Sequence, residues 1–128
     1  MIRIGFNGRV FSKPSPGGVG RYTRQLLAEF DPQGNAYSIT VMGHSGDDEF
    51  ELFKGIDVED SSPPHSGLRA HVWEQMILPW RIRNHDFDVF HTPAGNPPIL
   101  SRTPLVTTIH DVSPITHPEW FTSTYVAL

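Results

Sequence analysis

Apolar residues recur along this chain in two alternating periods, and the alternation predicts strands interleaved with helices. Ile2, Ile4 and Phe6 mark a first short strand. Val19, Tyr22, Leu26, Leu27 and Phe30 then recur at helical spacing, with Arg21, Arg24 and Glu29 on other faces. Asp31-Pro32 and Gly34-Asn35 are stop signals for that helix. Tyr37 to Met42 reads as a second strand stopped by Gly43, and Ile56 to Val58 as a third, edge-like strand. Between them, Asp47 to Glu51 starts a short helical turn carrying Phe50, Leu52 and Phe53. Ser61 to Pro64 reads as a loop.

The second half repeats the alternation. Leu68 to Leu78 predicts a helix with Leu68, Val72, Met76 and Ile77 along one apolar stripe. Pro79 lacks an N–H and clashes one turn back, so a kink or a new helical segment to about Asn84 is expected. Val89-Phe90 makes a short buried strand ending at His91. The Pro93 to Pro104 stretch is irregular, Leu105 to Ile109 is the clearest β-run, and a last helix begins near Pro118. With no internal repeat or long linker, 128 residues fit one domain. Strands alternating with helices imply right-handed crossovers and a mainly parallel sheet covered on both faces. The expected class is therefore α/β, a Rossmann-like three-layer domain.

Such sheets collect ligands beyond the carboxyl ends of their strands. Gly17-Gly18-Val19-Gly20-Arg21-Tyr22 lies between the first strand and the first helix, where bare backbone N–H groups favour an anion or a sugar ligand. It is not a dinucleotide fingerprint, because Thr23 stands where a third glycine belongs. Nor is it a nucleoside-triphosphatase loop, since Arg21 follows Gly20. Its bland alternative is a surface loop punctuated by Pro14 and Pro16.

Asn7, His91 and His110-Asp111 each follow or end a predicted strand, so the topology places them on the rim that carries the glycine run. His110 is the best candidate, as a ring able to hydrogen-bond a hydroxyl or carry charge in a pocket. Asp111 either lines that pocket or caps the next turn; His91 either lines it or packs against the Pro93–Pro98 loop. Arg21 either clamps a phosphate or is solvated, whereas Arg24 reads as solvated. Trp73 reads as core filling. Glu74, with no neighbouring acid, supports other groups at most, and Glu119-Trp120-Phe121 reads as an aromatic anchor used for packing.

Charge and composition exclude some functions. Ten basic against fourteen acidic residues give a net charge of −4, which offers a nucleic-acid partner no basic excess. Without cysteine there are neither disulfides nor thiolate metal sites, which is compatible with a reducing cytosol. The seven histidines show no metal-ligand spacing, so a metal at His91, His110 and Asp111 is not favoured. No apolar stretch approaches the roughly eighteen residues of a membrane span. Gly5, Asn7, Gly8 and Arg9 interrupt what would have to be a signal peptide.

Five segments in order carry a family resemblance: the glycine run above, Trp73-Glu74-Gln75 followed by Pro79, Asp88-Val89-Phe90-His91-Thr92-Pro93, Thr107-Thr108-Ile109-His110-Asp111, and His117-Pro118-Glu119-Trp120-Phe121. Together they resemble the N-terminal domain of the family 4 (group 1) glycosyltransferases of the GT-B fold, over essentially the whole chain. The resemblance implies retaining transfer of a hexosyl-type sugar from a nucleotide-diphosphate sugar to a glycan or lipid-linked acceptor. The cleft would lie between two Rossmann-like domains, with residues 1–128 on the acceptor side. Gly17, Gly18 and Arg21 match the positions that face the donor diphosphate and sugar, and His110 matches the catalytic position. Asn7, His91 and Asp111 are then the candidates for the acceptor pocket.

The family generally works without a metal, and no cofactor is expected. Bacterial surface polysaccharide assembly with a mannosyl-type donor is its commonest theme. A cytoplasmic location follows, with peripheral contact at the inner membrane face left open, although no basic amphipathic stripe is present. The family's donor-binding C-terminal domain has no counterpart in these residues, so this stretch alone is expected to be inactive. The competing reading is a non-catalytic Rossmann-like module, either a sugar-phosphate binder or a subunit completed by a partner chain.

Overall fold

The structure is a computed structural model and describes residues 1–12, 17–30, 36–44, 55–60, 64 and 66–123. β1 (Ile2–Asn7) leads through a 3-10 turn (Arg9–Ser12) towards α1 (Gly17–Ala28). β2 (Tyr37–His44) and β3 (Asp57–Asp60) follow. Next comes a helix in three parts: α2 (Leu68–Val72), a π turn (Trp73–Ile77) and α3 (Leu78–Arg83). β4 (Val89–Thr92), β5 (Leu105–Thr107), α4 (Ser113–Thr116) and a 3-10 turn (Pro118–Trp120) complete the described elements.

The five strands form one sheet in the order β3-β2-β1-β4-β5, and every pairing is parallel. Alternate residues of a strand face opposite sides, so the two cores can be read from the register. Phe6, Ile39 and Val41 join Leu27 of α1 in one cluster, with Phe6 paired to Val41. Met42 and Phe90 join Trp73, Leu78 and Ile82 in the other. Helices thus cover both faces, and the domain is Rossmann-like, as the alternation of elements predicts.

The apolar stripe expected on the second long helix is not the buried one. Leu68, Val72, Met76 and Ile77 are 74%, 48%, 61% and 42% exposed, whereas Ala70, Trp73, Glu74, Leu78 and Ile82 are buried. Leu68 and Val72 precede the π turn and lie off the side that Ala70 and Trp73 bury. Within the π turn the Leu78 N–H reaches the carbonyl of Trp73, five residues back, so that Leu78 rather than Ile77 comes onto that side. Pro79 has no N–H to give, and the wider turn accommodates it without breaking the helix. One extra residue also rotates the following segment by about 100° relative to a continuous α-helix. That rotation brings Leu78 and Ile82 round to the side of Ala70 and Trp73.

Other boundaries differ for local reasons. β2 does not stop at Gly43 but passes through it to His44, with a register irregularity between Met42 and His44. Gly43 has φ +96, and a Cβ there would lie 2.9 Å from the Trp73 ring, so glycine meets both a backbone and a packing requirement. β5 is shorter than its apolar run: it ends at Thr107, and Ile109 is 64% exposed. β5 lies at the edge of the sheet and pairs with β4, which ends at Thr92 before Pro93. After the Thr108 amide bonds the Thr92 carbonyl at 3.0 Å the ladder has run out. Trp120 does not pack into a core; it is 68% exposed and stacks on His117 at 4.1 Å. The expected helix stop at residues 31–35, the turn at 47–53 and most of the loop at 61–64 lie outside the described residues, as does the chain after residue 123.

Candidate functional site

The strand order reverses direction at β1, so the crevice beyond β1 and β4 is where an open parallel sheet binds ligands. β1 ends there in Asn7, which is only 2% exposed. Its Oδ1 accepts the Arg9 amide at 3.1 Å, and its Nδ2 donates to Glu74 Oε1 at 3.4 Å. Arg9 Nε donates to the same oxygen at 2.7 Å. Glu74, in the first position of the π turn, is fully buried, and its Oε2 has no hydrogen-bond partner. A buried carboxylate with one bare oxygen is costly, and the arginine beside it offsets that cost. Sequence reasoning gave Glu74 a lesser place because no second acid stands nearby; its partner is a base, 65 residues away.

A hollow of about 490 Å³ opens on the same side of the molecule as the first turn of α1. Val19 of that turn lines it, together with His71, Asn96, His110 and Asp111. Ala94, Ile109, Pro114 and Ile115 give it apolar walls. The turn itself begins at Gly17, with φ +64, and among the described residues nothing lies within 4 Å of where a Cβ would stand at Gly17 or Gly18. Arg21 is exposed to solvent. A second hollow, between Phe30, Tyr37 and Ile56, measures about 10 Å³ and has room for one water at most.

His110 is held from two sides. Its Nε2 donates to the Pro93 carbonyl at 2.7 Å, and Tyr22 of α1 meets its ring edge-to-face at 4.9 Å. A carbonyl only accepts, so Nε2 carries the hydrogen, and in the neutral form of the ring Nδ1 is then an acceptor. Tyr22 Oη also lies 3.1 Å from Thr108 Oγ1, which is 2.9 Å from His91 Nε2. Tyrosine, threonine and histidine thus tie α1 to the ends of β4 and β5.

His91 does not belong to the lining of the hollow. Its half-buried ring stands edge-on to Phe6 of the α1-side core at 4.6 Å. Burial pushes its pKa below the ordinary 6.5. The sign of the resulting pH dependence is fixed. The unfolded chain binds the proton more readily, so this contribution to stability is full above about pH 6.5 and is lost as pH falls through that value towards the folded pKa. Thermal melts between neutral and mildly acidic pH are expected to show the decline, and His91→Asn to flatten it. An equal decline in that variant would refute the assignment.

Asp111 lines the hollow and also caps the following turn. Its carboxylate accepts the Ser113 amide at 2.8 Å and the Ser113 hydroxyl at 2.6 Å. The hydroxyl first and the amide second hold the acid below its ordinary pKa, against a small opposing effect of desolvation. The structure therefore brings Val19, His110 and Asp111 of the predicted rim to one hollow. Asn7 lies in the buried cluster with Arg9 and Glu74 instead. His71 and Asn96 are polar lining residues that sequence reasoning missed, since a lone histidine inside a helix and an asparagine in a Pro-rich loop carry no motif signal.

Residues 16–127 match the model of the family described as Glycosyltransferase Family 4. The chain belongs to that family. The match takes in the glycine turn, His71, Glu74, His91 and His110-Asp111, and leaves out β1 and Arg9. No curated protein and no solved structure matches the chain. A family 4 glycosyltransferase has a sugar donor and an acceptor to bind, and a hollow lined by imidazoles, a carboxylate and apolar side chains suits such ligands. Among the described residues, no helix is long and apolar enough to cross a membrane.

Proposed function

We propose that this chain is the acceptor-side domain of a GT-B glycosyltransferase, which moves a hexosyl unit from a nucleotide-diphosphate sugar to an acceptor with retention of configuration. The observation that carries the reading is the shared hollow: Val19 of the glycine turn and His110 beyond β5 line one cavity at the strand ends. In this scheme the open backbone at Gly17 and Gly18 faces the donor diphosphate, where a helix N-terminus favours negative charge. Exposed Arg21 is free to turn towards it, and His110 meets a hydroxyl at the reacting centre. Asp111 belongs to the acceptor side by its place in the lining. Asn7 and His91 act from behind, Asn7 through Arg9 and Glu74, and His91 through Thr108.

A second domain that holds the nucleotide completes the cleft. The test compares the protein at its native length with residues 1–128 alone, each given nucleotide sugars and a panel of acceptors. Release of nucleoside diphosphate is expected from the former and none from the latter. Turnover by residues 1–128 alone would contradict the two-domain scheme. No turnover by the native-length protein with any donor would contradict the transferase itself.

A further inference from the structure

Resting on the transferase reading above, we propose that the hollow takes a neutral saccharide acceptor by its hydroxyl groups, with His71 as a further binding residue, and disfavours an acceptor that would place a phosphate there. The polar atoms on offer decide between these two. In its neutral form His110 presents Nδ1 as a lone pair, since its Nε2 is committed to the Pro93 carbonyl at 2.7 Å. Asp111 presents carboxylate oxygens that only accept. Both call for O–H donors, which a sugar has in plenty and a phosphate dianion lacks.

Charge points the same way. Among the described residues that line the hollow there is no lysine or arginine, the side chains that hold phosphates bidentately or as point charges. The first turn of α1, which favours anions, contributes Val19 to the lining but neither Gly17 nor Gly18. Ser113 keeps Asp111 in its ionised form, so an arriving phosphate, with about −1.5 to −2 charges, would meet a like charge. The apolar walls suit the C–H faces of a sugar ring instead.

His71 stands on α2, half-buried, in the lining of the same cavity. The wall formed by Ala94 and Asn96 is tied to its helix. One turn beyond His71, Gln75 Nε2 donates to the Pro97 carbonyl at 3.0 Å, and its Oε1 accepts the Ile99 amide at 3.2 Å. This double clamp fixes the distance between His71 and the loop that carries Asn96. A rigid spacing of this kind lets His71 select among hydroxyl patterns rather than adapt to any ligand.

The test uses the protein at its native length with nucleoside diphosphate present, methyl α-hexopyranosides as probes, and their 6-phosphates as matched competitors. Saturation-transfer NMR is expected to show the glycosides bound and the phosphates roughly tenfold weaker, as one like charge at short range implies. His71→Ala should weaken glycoside binding, leave nucleoside diphosphate binding and the melting temperature unchanged, and be partly rescued by His71→Gln. Asp111→Asn retains an acceptor for the Ser113 amide and should narrow the gap between glycoside and phosphate.

The proposal falls if the phosphates bind as tightly as the glycosides, if the gap survives Asp111→Asn, or if His71→Ala binds glycosides normally. A parallel turnover assay keeps the two readings apart. Transfer to phosphate-bearing acceptors alone would overturn this proposal and leave the transferase standing. Absence of any transfer together with absence of glycoside binding would overturn both.

Discussion

His110→Ala is expected to lower kcat for sugar transfer by about 10²–10⁴-fold in the native-length protein, the range typical of a positioned proton-transfer or hydrogen-bonding group. The residue is exposed, so the loss of stability is confined to the Pro93 bond and the Tyr22 contact, about 1–3 kcal/mol together, too little to unfold the domain. What disappears is a directed Nδ1 lone pair, aimed by the Pro93 carbonyl and by Tyr22 at 4.9 Å. Tyr22→Phe keeps the edge-to-face contact and removes only the bond to Thr108, so its effect should be much smaller. Steady-state kinetics on the three proteins check the order. An unchanged kcat in His110→Ala would remove the residue from the reaction.

Arg9→Ala should be the most destabilising single change at the rim, by about 3–5 kcal/mol. The pair it breaks lies out of solvent, with side-chain exposures of 11% for Arg9 and 0% for Glu74, so solvent screening gives little relief. Removing the arginine leaves a fully buried carboxylate that keeps only the long 3.4 Å bond from Asn7. Replacing both partners, as Arg9→Met with Glu74→Leu, should recover most of the loss, because an apolar pair no longer has charge to desolvate. Denaturant unfolding of the single and double variants measures the coupling. A double variant as unstable as the single one would mean that the arginine matters for something other than this carboxylate.

The elements that sequence alone made legible are those whose information is local. β1 and the order of strands and helices follow from short apolar runs and turn residues, each complete within a few positions. The glycine turn and His110-Asp111 were legible because parallel topology sends every strand end to one rim. The parts that escaped depend on partners far apart in sequence. Glu74 acquires meaning only through Arg9, and His71 only through the loop that Gln75 clamps. Leu68, Val72, Met76 and Ile77 do share a helical spacing, but the sheet takes up Ala70, Trp73 and Glu74 instead. The wider turn over Trp73–Ile77, which no apolar period reveals, carries Leu78 and Ile82 onto their side. Ile109 has the β propensity to extend β5, but the length of the partner strand decides, and β4 ends at Thr92, opposite Thr107.

That wider turn ties the length of the helix to the identity of one residue. Between Trp73 and Leu78 the chain holds one position more than an unbroken spiral would use, and Pro79 is comfortable because of it. Loss of a single residue from this stretch would straighten the rod and set the proline ring against the carbonyl behind it. The proline therefore depends on the surplus position, so a variant that discards that position would have to surrender the proline as well.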